Sequence, residues 1–197
     1  MNKDEQLEKL KKEIQTDKKL PLQSTNLVFG EGNPDADILF IGEAPGAKED
    51  ELQRPFVGRS GKLLDKFIEA VGWRREEVYI TNIVKRRPPK NRDPKPEEIE
   101  KYRPYLKKQI EIINPKIIAP LGRFSMNYFI PDRMISKSQG KMFFKEDRLI
   151  IPIYHPAAGL RSTTVLGEIK KSFKVLKNVV DNFDKVMNDK IDNIEKV

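Results

Sequence analysis

Four short apolar runs do most to limit how this chain can fold: 37–42, 78–81, 117–121 and 149–154. Each is too short for a helix with a solvent face, and none alternates cleanly with polar residues, so they read as strands buried on both faces. The stretches between them carry apolar residues at helical spacing. Leu63, Leu64, Phe67, Ile68 and Val71 mark a helix at 62–71, expected to be capped by Ser60 and ended by Gly72. Ile99, Leu106, Ile110 and Ile113 mark another at 96–113. Strands that alternate with helices predict an α/β fold, with a parallel sheet covered on both faces.

The chain ends and loops complete this plan. A helix is expected within residues 1–16, with Leu7, Leu10 and Ile14 inward. Asp50 to Ser60 reads as a polar connection, 122–129 as a short helix and 132–148 as a ribbon or loop. From about 165 to 197 the apolar residues Ile169, Phe173, Leu176, Val180, Phe183, Met187, Ile191 and Ile194 step by four and three. That pattern predicts one long helix whose last turns project beyond the body. The 197 residues suit a single domain.

In a parallel sheet, the carboxyl ends of the strands share one edge, which is where open α/β folds bind ligands. The first run empties into Gly42-Glu43-Ala44-Pro45-Gly46, the second into Asn82, the third into Gly122 and the fourth into His155-Pro156. A carboxylate, a carboxamide and an imidazole, with the nearby ring of Phe56, suit a planar polar heterocycle. Asn82 can donate and accept at once, Phe56 can stack, and His155 can donate to an oxygen that gains charge. Each also has a plain structural reading. Asn82 could form a turn, Phe56 could fill the core, His155 could be structural and Glu43 a solvated loop charge. Their convergence favours a site.

Composition removes several chemistries. The chain has no cysteine, which excludes disulfides, thiolate metal sites and iron–sulfur clusters, and its one histidine argues against a zinc hydrolase. No Gly-x-Gly-x-x-Gly follows the first strand, and no Walker-type Gly-Lys-Ser/Thr occurs. Gly58-Arg59-Ser60-Gly61 is not a hydrolase nucleophile elbow. No apolar run approaches a membrane span, and the Lys-rich amino terminus lacks a signal peptide's apolar segment, so an intracellular protein is expected. The net charge of +8, with five basic residues among the eight of 85–92, favours a polyanionic partner.

Longer motifs are more specific. Gly42-Glu43-Ala44-Pro45-Gly46 with Glu49-Asp50, and Arg54-Pro55-Phe56-Val57-Gly58-Arg59-Ser60-Gly61-Lys62-Leu63-Leu64-Asp65, closely resemble the family 4 uracil-DNA glycosylases. So do Thr81-Asn82-Ile83-Val84-Lys85 with Arg87-Pro88-Pro89 and Asn91-Arg92, and His155-Pro156-Ala157-Ala158 with Arg161. The resemblance runs from about residue 20 to 185, in the family's order. It implies a three-layer α/β/α sandwich with a four-stranded parallel central sheet. It implies base flipping, hydrolysis of the bond between uracil and deoxyribose, and an abasic product.

By the same resemblance, Gly42, Glu43 and Ala44 line the uracil pocket, Phe56 stacks on the flipped base and Asn82 bonds its polar edge. His155 bonds the oxygen that becomes anionic, and Glu43 is the choice for orienting water, since Ala44 stands where related families have an Asp. Gly58, Ser60, Lys85, Arg87 and Arg161 are implied to bind DNA, and 155–161 to fill the gap left by flipping. The implied partner is uracil-containing DNA, single- or double-stranded, met by a monomer in a prokaryotic cytoplasm. A weakly active or inactive DNA-binding relative of the same fold is the alternative reading. A protein-interaction module is a third, suggested only by the last helix.

Two departures stand out. Family 4 members usually hold a four-iron four-sulfur cluster on four cysteines, and the matching positions are Asp17, Leu20, Arg86 and Tyr102. No cofactor or metal is therefore expected. Complementary pairs at these positions predict an Asp17–Arg86 salt bridge beside packed Leu20 and Tyr102. Gly159 stands where a larger apolar residue is common, which would weaken the wedge that enters DNA.

Overall fold

The computed structural model of the protein describes residues 1–190 and 194–197, with nothing said of the side chains of 189 and 190. Its strands are β1 (Glu31–Gly32), β2 (Ile38–Gly42), β3 (Tyr79–Asn82), β4 (Ile117–Pro120), β5 (Phe143–Lys145), β6 (Arg148–Ile150) and β7 (Glu195–Lys196). They form one sheet in the order β1-β3-β2-β4-β6-β5-β7. The central four, β3-β2-β4-β6, are parallel, as their apolar runs predict. Among the described residues the sheet has seven strands, not four. β1 adds antiparallel to β3, β5 antiparallel to β6, and β7 parallel to β5. These three added strands are two or three residues long, too short to show a period of two in sequence.

Helices α1 (Lys3–Thr16), α2 (Ala47–Leu52), α3 (Arg59–Ala70), α4 (Pro96–Ile113), α5 (Arg123–Phe129), α6 (Ile135–Ser138), α7 (Pro156–Gly159), α8 (Thr163–Asp181) and α9 (Phe183–Lys190) complete the fold. Successive strand residues point to opposite faces. Leu39 and Ile41 meet Leu10 and Ile14 of α1 and Leu106 and Ile113 of α4 in one core. Ile38 and Phe40 meet Leu64 and Phe67 of α3 and Ile169 and Phe173 of α8 in the other. Two cores, one on each face of the sheet, make the three layers. No described helix is long and apolar enough to cross a membrane.

Three local expectations are corrected. Ser60 does not cap α3 but lies in its first turn, behind Gly58 at the cap position. Glu49 of α2 does this work from a distance, its Oε1 accepting from the N–H groups of Val57 (3.0 Å) and Gly58 (2.7 Å). The fourth run pairs formally only to Ile150, because Pro120 opposite it has no N–H to donate to the Ile151 carbonyl, yet Ile151 and Ile153 still donate to β4 and Ile153 bridges Leu121. The long last helix breaks at Asn182, which is not helical. Its carboxamide bonds back to the carbonyl of Asn178 at 2.9 Å. After the break the chain returns to the body. Val186 and Ile194 are buried in the second core and β7 joins the sheet, so the end does not project. Ile191 lies outside the described residues.

Candidate active site

The exits of β2 and β3 are held together beyond the last paired residues. The N–H of Ile83 donates to the carbonyl of Gly42, and that of Val84 to the carbonyl of Glu43, each at 3.0 Å. Gly42 and Asn82 are register partners. A Cβ on Gly42 would stand 2.4 Å from Asn82 Oδ1 and 2.5 Å from Phe56 Cζ, so only glycine lets carboxamide and ring converge there.

Phe56 is fixed by its backbone. Its φ is +50°, a left-handed conformation that costs a non-glycine residue energy and must be held by its surroundings. Arg75 supplies part of the restraint, donating to the carbonyls of Phe56 (3.2 Å) and Pro55 (2.5 Å) while paired with Asp65 and Glu31. Glu49 holds the next two N–H groups. The ring lies 5.6 Å from the His155 imidazole, tilted by 32°.

His155 caps α7, its Nδ1 accepting from the N–H of Ala157 at 3.2 Å. That bond puts the proton of the neutral ring on Nε2. Burial pushes the imidazole down to about 4. His155 is therefore a neutral donor at physiological pH. Glu43 is pushed the other way, to about 7, chiefly by burial and then by the nearby charge of Asp93, with Arg123 opposing. The side chains of Asn82 and Glu43 accept or donate no hydrogen bond within the described residues, so both are available to a ligand.

Glu43, Ala44, Phe56, Asn82 and His155 line one cavity of about 420 Å³, with Ser60 and Arg161 at its side. Such a space suits a small ring system. Gly58, Ser60 and Arg161 also line an adjoining cleft. Arg87 stands behind the rim, donating to Asn91 Oδ1 at 2.6 Å. Lys85 is a correction. Sequence reasoning placed it on DNA, but it is fully buried with no surface to offer a phosphate. The cavity wall also holds Asn91 and Asp93, together with Glu49, which the sequence pattern did not single out as site residues. Glu49 and Asn91 stood inside the motifs quoted above; Arg75, which holds Phe56, had no local signal.

The wedge expectation also changes. Gly159 faces inward, and a Cβ there would meet Ile169 Cδ1 at 3.1 Å. The apolar side chain presented at the rim is Leu160, 43% exposed beside the same cleft.

At the replaced cluster positions the expected ion pair does not form. Asp17 Oδ2 accepts instead from the hydroxyl of Tyr105 at 2.6 Å, and Arg86 donates to the carbonyl of Thr25. Tyr102 is fully buried, its hydroxyl on the carbonyl of Pro21 at 2.9 Å, and it shares a core with buried Leu20 as expected. A carboxylate, an alkyl group, a guanidinium and a phenol are not a donor set for an iron–sulfur cluster, and these residues do not fit one.

A family model described as the uracil DNA glycosylase superfamily matches residues 29–183. A type-4 uracil-DNA glycosylase of Sulfurisphaera tokodaii is 46% identical over 185 residues, covering 88% of this chain and 84% of that protein. The type-4 uracil-DNA glycosylase of Archaeoglobus fulgidus is 44% identical over 181 residues, covering 86% of this chain and 91% of that protein. A DNA polymerase of Bacillus phage SP01 is 33% identical over 153 residues, which cover 77% of this chain but 17% of that protein.

Proposed function

The chain belongs to the uracil DNA glycosylase superfamily, and we propose that it removes uracil from DNA as a monofunctional glycosylase that works without a metal cluster. The observation that carries this reading is the shared cavity of Phe56, Asn82, His155 and Glu43. A base stacked in a duplex is out of reach of such a cavity, so the nucleotide must swing out at a cost of a few kcal/mol. Leu160 at the rim is the side chain suited to fill the gap it leaves.

In the cavity Phe56 stacks on the ring and Asn82 reads its polar edge, which differs between uracil and cytosine. The glycosidic C1′–N1 bond breaks with its electron pair on N1, and the charge spreads to the ring oxygens. Nε2–H of His155 donates to the oxygen that gains it, a neutral donor in a site shielded from water. The carboxylate of Glu43 orients the water whose oxygen bonds C1′, and favours the positive charge on the sugar. The protein acts as a monomer on single- or double-stranded DNA.

The test is incubation of the purified chain with a uracil-containing oligonucleotide in a chelator, followed by alkaline cleavage at abasic sites. Cleavage at the uracil position is expected. Asn82→Ala and His155→Ala should each lower the excision rate by about 10²-fold or more. DNA binding with no uracil released would end this reading in favour of an inactive DNA-binding relative.

A further inference from the structure

Lys85, the first residue of the basic 85–92 run, is fully buried. Its Nζ donates to Thr81 Oγ1 at 2.6 Å and to Gln109 Oε1 of α4 at 2.5 Å. Both acceptors are themselves oriented. Thr81 Oγ1 donates to the carbonyl of Phe29 at 2.7 Å, and Gln109 Nε2 donates to the same carbonyl at 3.1 Å. Their oxygens are thereby turned toward the amine. No carboxylate among the described residues pairs with Lys85, and the ring of Phe29 lies 6.0 Å from Nζ. Two acceptors match the two N–H groups of a neutral amine, whereas an ammonium has three. Burial pushes the Lys85 amine well below its ordinary value, in the same direction.

We propose that Lys85 is a positioning residue for Asn82, its buried amine tying the exit of β3 to α4 so that the neighbouring carboxamide is aimed into the cavity. Thr81 and Asn82 are adjacent in β3 and point to opposite faces of the sheet. The Asn82 side chain has no hydrogen-bonding partner of its own among the described residues. Its direction is set by the strand, and the strand is anchored from behind through Thr81. The Lys85 side chain reaches back four residues to Thr81, and the Lys85 carbonyl accepts from the N–H of Val28 at 2.8 Å. The tether thus spans β3, α4 and the segment before β1. An apolar side chain of similar length would fill the space but leave two buried oxygens without donors.

This inference rests on the uracil-release reading, and its test separates the two. Wild-type protein and Lys85→Met are compared in single-turnover uracil excision and in binding to an oligonucleotide with an abasic-site analogue, at several salt concentrations and below the unfolding transition of both. The excision rate is expected to fall about tenfold or more, with affinity and its salt slope unchanged, because misaiming costs rate and Lys85 meets no phosphate. An unchanged rate, or a weaker affinity with a shallower salt slope, overturns the proposal. A wild type that releases no uracil sinks the glycosylase reading instead. The proposal is then judged by the Asn82 side-chain amide resonance, which should move in Lys85→Met and must not stay in place. Should Lys85→Met not fold, Thr81→Val takes its part, with Thr81→Ser expected to restore the rate. Equal rates in Val and Ser variants overturn the tether.

Discussion

Two residues in one cavity are driven in opposite directions by the same low-dielectric surroundings. Burial keeps His155 uncharged down to about 4 and keeps Glu43 protonated up to about 7. Loss of a solvated charge is the common cause, and the sign follows from which form of each group is charged. The consequence is a division of labour. His155, lowered to about 4, contributes little to a pH dependence near 7, where Glu43 titrates. If Glu43 acts as a carboxylate, the excision rate should rise through pH 7 as its proton leaves, and level off above it. Glu43→Gln should be slower by about 10²-fold and flat from pH 6 to 8. A wild-type profile that is flat across this range, measured under single-turnover conditions, removes Glu43 from the role of water-orienting base.

At the scale of elements, α3 is built around one close approach. A Cβ on Gly61, in its first turn, would fall 2.0 Å from the carbonyl carbon and oxygen of Phe56. The helix can start where it does only because that position is bare, and the left-handed backbone of Phe56 lies directly beneath. Gly61→Ala should cost about 1–3 kcal/mol or more in denaturant unfolding, by overpacking, and should displace the ring. Gly167, inside α8, offers the contrast: nothing lies within 4 Å of a Cβ built there. Gly167→Ala should stabilise by about 1 kcal/mol through helix propensity alone. Equal effects of the two substitutions would refute this account of α3.

For the whole molecule, the replaced cluster positions bear on what holds the outer loops. The segment after α1 meets α4 through Tyr105–Asp17 and Tyr102–Pro21, and meets the exit of β3 through Arg86–Thr25. These bonds sit over a core that includes Leu20 and Tyr102. Side-chain bonds join these loops at the junction. Thermal unfolding midpoints with and without a strong chelator should therefore coincide, and so should excision rates. A chelator-dependent fall in the midpoint would show a metal contribution to folding.

What the sequence alone determined follows from short-range physics. The four central strands are unbroken apolar runs, the helices carry their buried faces at fixed spacing, and the site residues stand at strand exits within long motifs. Each of these is written in contiguous residues, so Glu43, Phe56, Asn82 and His155 could be gathered at one edge before any coordinates. Only the tertiary structure decided the rest. Lys85 opens a basic run that reads as solvent-facing, yet it is buried with Gln109, 24 positions away, as an acceptor. Asp17 pairs with Tyr105 and not Arg86, the last helix breaks at Asn182, and three strands of two or three residues extend the four-stranded parallel sheet. For Lys85 and Asp17 the partner is distant along the chain. A local pattern records which face of an element is apolar, but which polar group finds which partner is fixed only when the elements are packed together.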